Sequence, residues 1–183
     1  MLPSGPMPAC AVLPAASAAL PSEAQMAQLL SAARAARAMA YAPYSQFAVG
    51  AALLDEHGRV HAGCNVENAA YPQGQCAEAS AIAQLVLAGG RRILAAVVVG
   101  VIEPPTGADV GAVGGVGKGV GGDSADAALV VTPCGGCRQR LREFAADDTP
   151  VWSADLHSVR ARFTLGFLLP ASFGPAHLVT RPK

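Results

Sequence analysis

Residues 71–90 read YPQGQCAEASAIAQLVLAGG, and this stretch fixes the kind of fold the chain can adopt. From Cys76 to Ala88 it contains neither glycine nor proline, and Gly89 and Gly90 then supply a helix stop. The stretch therefore predicts a helix that opens at Cys76, with Glu78 two residues further on. A thiolate and a carboxylate at one helix mouth repel each other unless a cation sits between them. The rest of the chain must then supply the other ligands.

On the N-terminal side, Ser22 with Gln25 three residues later has the form of a capping box. Met26, Leu29, Leu30 and Ala33 follow at helical spacing, which predicts an amphipathic helix over 22–40. FAVGAALL (47–54) and RVHAGCNVE (59–67) flank a short turn-forming link at 55–58 and predict a hairpin. On the C-terminal side, the Val-rich run 93–101 predicts a buried strand. AALVV (127–131) followed by CRQRLREFA predicts a strand leading into a helix, PVWSAD (150–155) a fifth strand, and FTLGFLLP a terminal turn or short helix. Strands alternating with helices imply an α/β fold, a mixed sheet with helices on its faces.

At 183 residues with 52% hydrophobic content, the chain is large enough for one globular domain with a real core. Residues 1–20 carry four prolines and no basic side chain, which predicts a disordered tail rather than a targeting signal. The domain is expected over 21–183. The segment GADVGAVGGVGKGVGGDSAD (107–126) is expected to be a flexible, Gly-rich insert. Its GxGxxG pattern lacks a following helix, and Lys118 does not complete a P-loop. A formal net charge of zero, without any basic run, argues against nucleic acid and anionic membranes as partners and favours a small neutral ligand. Beyond the N-terminal stretch, the most apolar run, 93–102, is well short of the roughly 20 residues that span a bilayer. A cytoplasmic location is expected. Five cysteines at uneven spacing do not form a secreted disulfide framework and point to thiol or metal chemistry.

TPCGGCRQ (132–139) gives Cys134 and Cys137 a C-x-x-C spacing at a helix start, where backbone N–H groups favour thiolates. Taken alone, the pair reads as metal ligands, as a redox dithiol or as two small core residues. Cys76 shifts the balance, because two helix N-termini on one side of a sheet can bring three thiolates to one centre. Three protein ligands and a water are the composition of a catalytic zinc site. His57, His61, His157 and His177 stand at no ligand-like spacing from these cysteines. Glu78 is then near enough to take a proton from that water. Its bland alternative is a first-turn acid stabilised by the helix dipole.

The blocks YAPYSQFAVGAALL, GCNVENAAY, CAEASAI, PCGGCRQ and LLPASFGP, in this order over 41–101 and 127–178, resemble the small zinc-dependent cytidine deaminases. The resemblance implies an αβα layered fold around a five-stranded sheet, a homotetramer, and Zn²⁺ held by Cys76, Cys134 and Cys137. It implies hydrolytic deamination of cytidine or deoxycytidine, a step of pyrimidine salvage, with Glu78 moving the protons. Phe47 is expected to pack on the base, Asn65 and Glu67 to hydrogen-bond the ribose 3′-hydroxyl, and the Ala77 backbone to contact the base. Ala69, Tyr71 and Phe173 are expected to reach the pocket from neighbouring subunits.

The chain departs from the family pattern at Ala79, where many members carry Arg, at Pro72, at Phe167 and in the Gly-rich insert. Three other readings compete. A blasticidin-type deaminase shares the zinc core, but NVEN and Phe173 favour ordinary nucleosides. An enzyme that edits nucleic acid needs a basic groove. A zinc-binding or redox module without catalysis leaves Glu78 unexplained.

Overall fold

The computed structural model describes residues 20–101 and 130–178. All of the expected tail but Leu20, and the whole 107–126 insert, lie outside the described residues. The first helix, α1 (Glu23–Ala38), starts as its sequence dictates: the Ser22 hydroxyl accepts from the Gln25 N–H at 3.2 Å, and the Gln25 side chain accepts from the Ser22 N–H at 2.9 Å. It buries Leu29 and Ala33.

The hairpin forms from β1 (Val49–Asp55) and β2 (Val60–Cys64), paired antiparallel. Its turn is more than a loop of polar residues. The fully buried Asp55 carboxylate accepts from the His57 and Arg59 backbones and from the Arg59 guanidinium, and it pairs with His61 Nε2 at 2.8 Å. Gly58 takes the left-handed conformation the turn needs, at φ +76°. The expected second strand ran to residue 67, but pairing with β1 stops at Cys64. Val66 instead bridges Tyr41 on one side and Gln75 on the other, which draws three loops together.

Next come α2 (Ala77–Leu87), β3 (Ile93–Gly100), α3 (Gly135–Phe144), β4 (Pro150–Ala154), β5 (Val159–Thr164) and α4 (Leu165–Leu168). The sheet order is β2-β1-β3-β4-β5, with β3 and β4 parallel and every other pair antiparallel. The mixed five-stranded sheet is thus as expected, but its fifth member is not. Val130 and Val131, the described part of the expected strand 127–131, are not in a strand. β4 already occupies the edge of β3. Val131 lies across the strand ends, where its side chain packs on Gly100 and its carbonyl accepts from the Ser153 hydroxyl at 2.7 Å. The place in the sheet goes to β5, whose sequence VRARFT is exposed or half-exposed throughout; its alternating Val159, Ala161 and Phe163 suit a strand, although none was expected there.

Alternation along β1 and β3 sends side chains to two cores. Ala51, Leu53, Ala96 and Val98 face Ala81, Leu85 and Leu141 of α2 and α3, while Ala52, Leu54, Val97 and Val99 face Leu29 and Ala33 of α1. The result is an αβα sandwich with α2 and α3 side by side on one face. Gly63 sets how close α2 lies: a Cβ there would stand 2.4 Å from Ala81 N and 2.7 Å from Ala77 O. Among the described residues, no helix is long and apolar enough to cross a membrane.

Candidate metal centre

Two helix starts converge. Cys76 is the N-cap of α2 and Cys134 the N-cap of α3, both with extended backbone, and neither side chain caps its own helix. Their sulfurs are therefore free to face each other, 3.9 Å apart. Cys137, one turn into α3 and fully buried, completes a group whose sulfur atoms all lie within 4.8 Å of one another. Tetrahedral zinc with bonds of about 2.3 Å requires sulfur pairs about 3.8 Å apart, so the three donors fit that ion. Among the described residues no other group of three or more His, Cys, Asp or Glu side chains is placed to hold a metal. Cys64 stands apart, its thiol directed at the Met39 carbonyl, and Cys10 lies outside the described residues.

Electrostatics marks the same spot. Burial pushes the Cys137 thiol far above its ordinary range, and the charge and hydrogen bond of Glu78 push it further. Burial also raises Cys76, aided by the charges of Cys134 and Glu78. For Cys134 burial acts upward too, but hydrogen bonds from the Cys137 backbone and from the other two thiols outweigh it and bring the thiol down. Glu78 itself is 4% exposed. Burial thus favours the protonated thiol at Cys76 and Cys137, and a metal ion binding there displaces those protons.

The expected substrate-side residues fall into two groups. Asn65 and Glu67 shape the loop before β1. The Asn65 side chain accepts from Val49 N at 2.8 Å and donates to the carbonyl of the half-buried Phe47 at 2.9 Å. The Glu67 carboxylate accepts from the Tyr44 and Ser45 N–H groups and from the Ser45 hydroxyl, and that hydroxyl bond leads the interactions that lower its pKa. Glu67 and Tyr71 line one cavity of about 320 Å³ with Tyr44, Ser45, Asn68 and Gly74. Ala77 is buried at the first position of α2. Ala69, Tyr71 and Phe173 are exposed, Tyr71 at 74% and Phe173 at 58%. The Phe173 ring stacks on His177 with centroids 5.0 Å apart and does not line the Glu67 cavity.

Sequence reasoning missed two supporting residues. Ser45 holds Glu67 from 22 residues away, a distance that leaves no local signal. Arg138 donates to the Pro133 carbonyl, the Leu168 carbonyl and the Thr132 hydroxyl, which ties the strand-to-helix loop before Cys134 to the end of α4. Its position directly after Cys137 was the available clue.

A three-thiol site with a buried carboxylate on this αβα scaffold is the signature of a zinc deaminase, and comparison with known proteins agrees. The family model described as "Cytidine and deoxycytidylate deaminase zinc-binding region" matches residues 23–153, and the chain belongs to that family. It is 36% identical over 151 residues to the cytidine deaminase of Sporosarcina psychrophila, covering 82% of this chain and 93% of that protein. It is 40% identical over 139 residues to that of Mycobacterium tuberculosis, covering 76% and 82% respectively. Among solved structures it resembles cytidine deaminase from Burkholderia pseudomallei (34% identity, TM-score 0.58, covering 80% of this chain and 98% of that one). The structure of the Mycobacterium tuberculosis enzyme matches at 38% identity and TM-score 0.57, over 81% and 97%. Zinc is the metal that this family region and this donor set together define.

Proposed function

We propose that the chain is a cytidine deaminase that hydrolyses cytidine and deoxycytidine to uridine and deoxyuridine with release of ammonia, as in pyrimidine salvage. The observation that carries this reading is Glu78: a carboxylate 4% exposed in the first turn of α2, two residues after Cys76 and close enough for its charge to raise the Cys137 thiol. A structural metal module has no use for it. Cys76, Cys134 and Cys137 would hold the zinc, which when bound activates water for attack at C4 of the cytosine ring. Glu78 accepts a proton from the attacking water, delivers it to N3, and then carries a second proton to the departing amine. Phe47 and the Ala77 backbone orient the base, and Asn65 and Glu67 meet the ribose 3′-hydroxyl. Each of these two polar side chains already makes hydrogen bonds to the 44–49 loop, so it is held in place before substrate arrives.

The charge of the Glu67 cavity favours a nucleoside over a nucleotide. Its lining holds one charged group, the Glu67 carboxylate, which repels a phosphate brought near it; the three cysteines and Glu78 stand outside that lining. In the same reading 21–183 is one catalytic domain with 107–126 as an insert. Ala69, Tyr71 and Phe173 complete the pockets of neighbouring subunits in a homotetramer, and the exposure of the two rings supports that role. A reducing compartment, the cytoplasm, suits three thiolate ligands. The test is an ultraviolet assay on cytidine, deoxycytidine, cytosine, CMP, dCMP and blasticidin S, alongside a zinc count. Turnover of the two nucleosides by a protein with one zinc per chain is expected. Turnover of dCMP alone, or zinc without any turnover, would overturn the reading.

A further inference from the structure

Three thiolates exceed the charge of one divalent ion, and the buried Glu78 carboxylate adds to the excess. The N-termini of α2 and α3 offset part of it, about half a unit charge each, but that influence fades within the first turn. Nearby side-chain cations are few. Arg138 is committed to its three hydrogen bonds, and Arg142 to Ser172, to the Ala145 carbonyl and to Asp147. Arg140, three residues after Cys137 on α3 and exposed, makes no hydrogen bond or ion pair with the described residues. Its Nη1 lies 3.4 Å from where a Cβ of Gly136 would stand, beside the turn that carries Cys134 and Cys137.

Arg140 also lines a cavity of about 330 Å³ between α2 and α3, together with Gln75, Ala79 and the carboxylate-bearing Glu143, with which it forms no ion pair. Gln75 directly precedes Cys76, and Ala79 directly follows Glu78, so the cavity adjoins the backbone that carries two of the site's acidic groups. Only a methyl group occupies position 79, which leaves room for a long side chain to extend across from α3. We propose that Arg140 is the side-chain cation that offsets the thiolate cluster, acting across the cavity that Ala79 leaves open. An arginine suits the task because it stays charged at every working pH and offers several N–H groups over a broad plane. Its role is electrostatic support of the metal site, without contact with substrate.

The proposal rests on the zinc reading above, and the experiment separates the two. Zinc affinity and the rate of zinc loss to an excess of chelator are measured for wild type, Arg140→Met, Arg140→Lys and the double variant Arg140→Met/Ala79→Arg. Met preserves the apolar length without the charge, and because Arg140 is exposed its replacement spares the core. Arg140→Met is expected to hold zinc about three- to tenfold more weakly, the range for a partly solvated charge. Lys should stay within about twofold of wild type, and Ala79→Arg should recover most of the loss by supplying the charge from the α2 side. The deficit should also shrink in about 1 M salt, where screening acts over about 3 Å. An Arg140→Met protein that retains zinc like wild type overturns the proposal. So does a Lys variant as impaired as Met, since that assigns Arg140 a packing role. A wild type that binds no zinc overturns the zinc reading itself.

Discussion

Glu78 is the residue on which the enzyme reading and a metal-only reading part. Glu78→Gln keeps the size and polarity of the side chain but removes the proton acceptor. Zinc content should be unchanged while cytidine turnover falls by about 10⁴-fold, the upper end for one proton-transfer group, because the same carboxylate serves more than one transfer. A Gln variant with full zinc and turnover within about tenfold of wild type would end the assignment. Asp55 makes a different residue-scale prediction, on stability. Its folded pKa is depressed: burial acts upward but is outweighed by His61, by the Arg59 and His57 backbones and by the Arg59 guanidinium. The stability it supplies is therefore fully present above its unfolded pKa of about 3.9 and is lost as the pH falls below that value. Asp55→Asn should cost about 3 kcal/mol at neutral pH, as expected for breaking a buried pair, and should flatten the acid limb of the stability curve. Urea melts from pH 7 to pH 3 check both statements, and equal acid slopes in variant and wild type would refute the second. The residues of the centre were legible in the sequence because each ligand and Glu78 sit in short motifs at helix starts. The Asp55 network was not, since its meaning depends on His61 folding back beneath the turn.

At the scale of elements, the position of Cys76 depends on how closely α2 lies on β2. Gly63 permits that approach, because any Cβ there meets Ala81 N at 2.4 Å and Ala77 O at 2.7 Å, both backbone atoms with no easy way to yield. Gly63→Ala should therefore push the start of α2 outward, cost about 3 kcal/mol by overpacking, and lower zinc affinity although no ligand has changed. Thermal unfolding and a zinc titration on the same sample test this, and a variant with wild-type values for both would show that α2 relaxes without moving Cys76. The helices and four of the five strands could be read from capping, spacing and apolar runs. The last strand could not. β5 alternates Val159, Ala161 and Phe163 with Arg160, Arg162 and Thr164, but only Ala161 and Phe163 are half-buried, so the face that meets the core is short and set among charged neighbours. Residues 130–131 have the valines of a strand, yet Val131 packs on Gly100 and gives its carbonyl to Ser153 at the strand ends, while Val130 is 40% exposed. Local β-propensity was overridden there by tertiary context, because β4 takes the place beside β3.

For the whole molecule, the open question is which chain completes which pocket. Phe173 is anchored to its own chain through its carbonyl, which accepts from Gln139 Nε2 at 2.9 Å, while its ring remains 58% exposed. A ring presented in this way is available to another copy, and a homotetramer would bring it over a neighbour's substrate. If so, Phe173→Ala should lower kcat/KM about 10- to 100-fold, the worth of one buried aromatic contact, while zinc stays bound. Mixing distinguishes a shared pocket from a private one. Glu78→Gln and Phe173→Ala chains, unfolded together in equal amounts and refolded with zinc, would form hybrid assemblies. In these, a pocket with an intact Glu78 borrows an intact Phe173 from its neighbour about half the time. Since half of all chains carry Glu78, recovery of about a quarter of wild-type activity per chain is expected from random assembly. Refolded controls of each variant alone should stay at their own low levels. If the mixture gives only the average of the two parents, Phe173 serves its own chain, and the shared-pocket assembly is wrong even if sedimentation finds a tetramer.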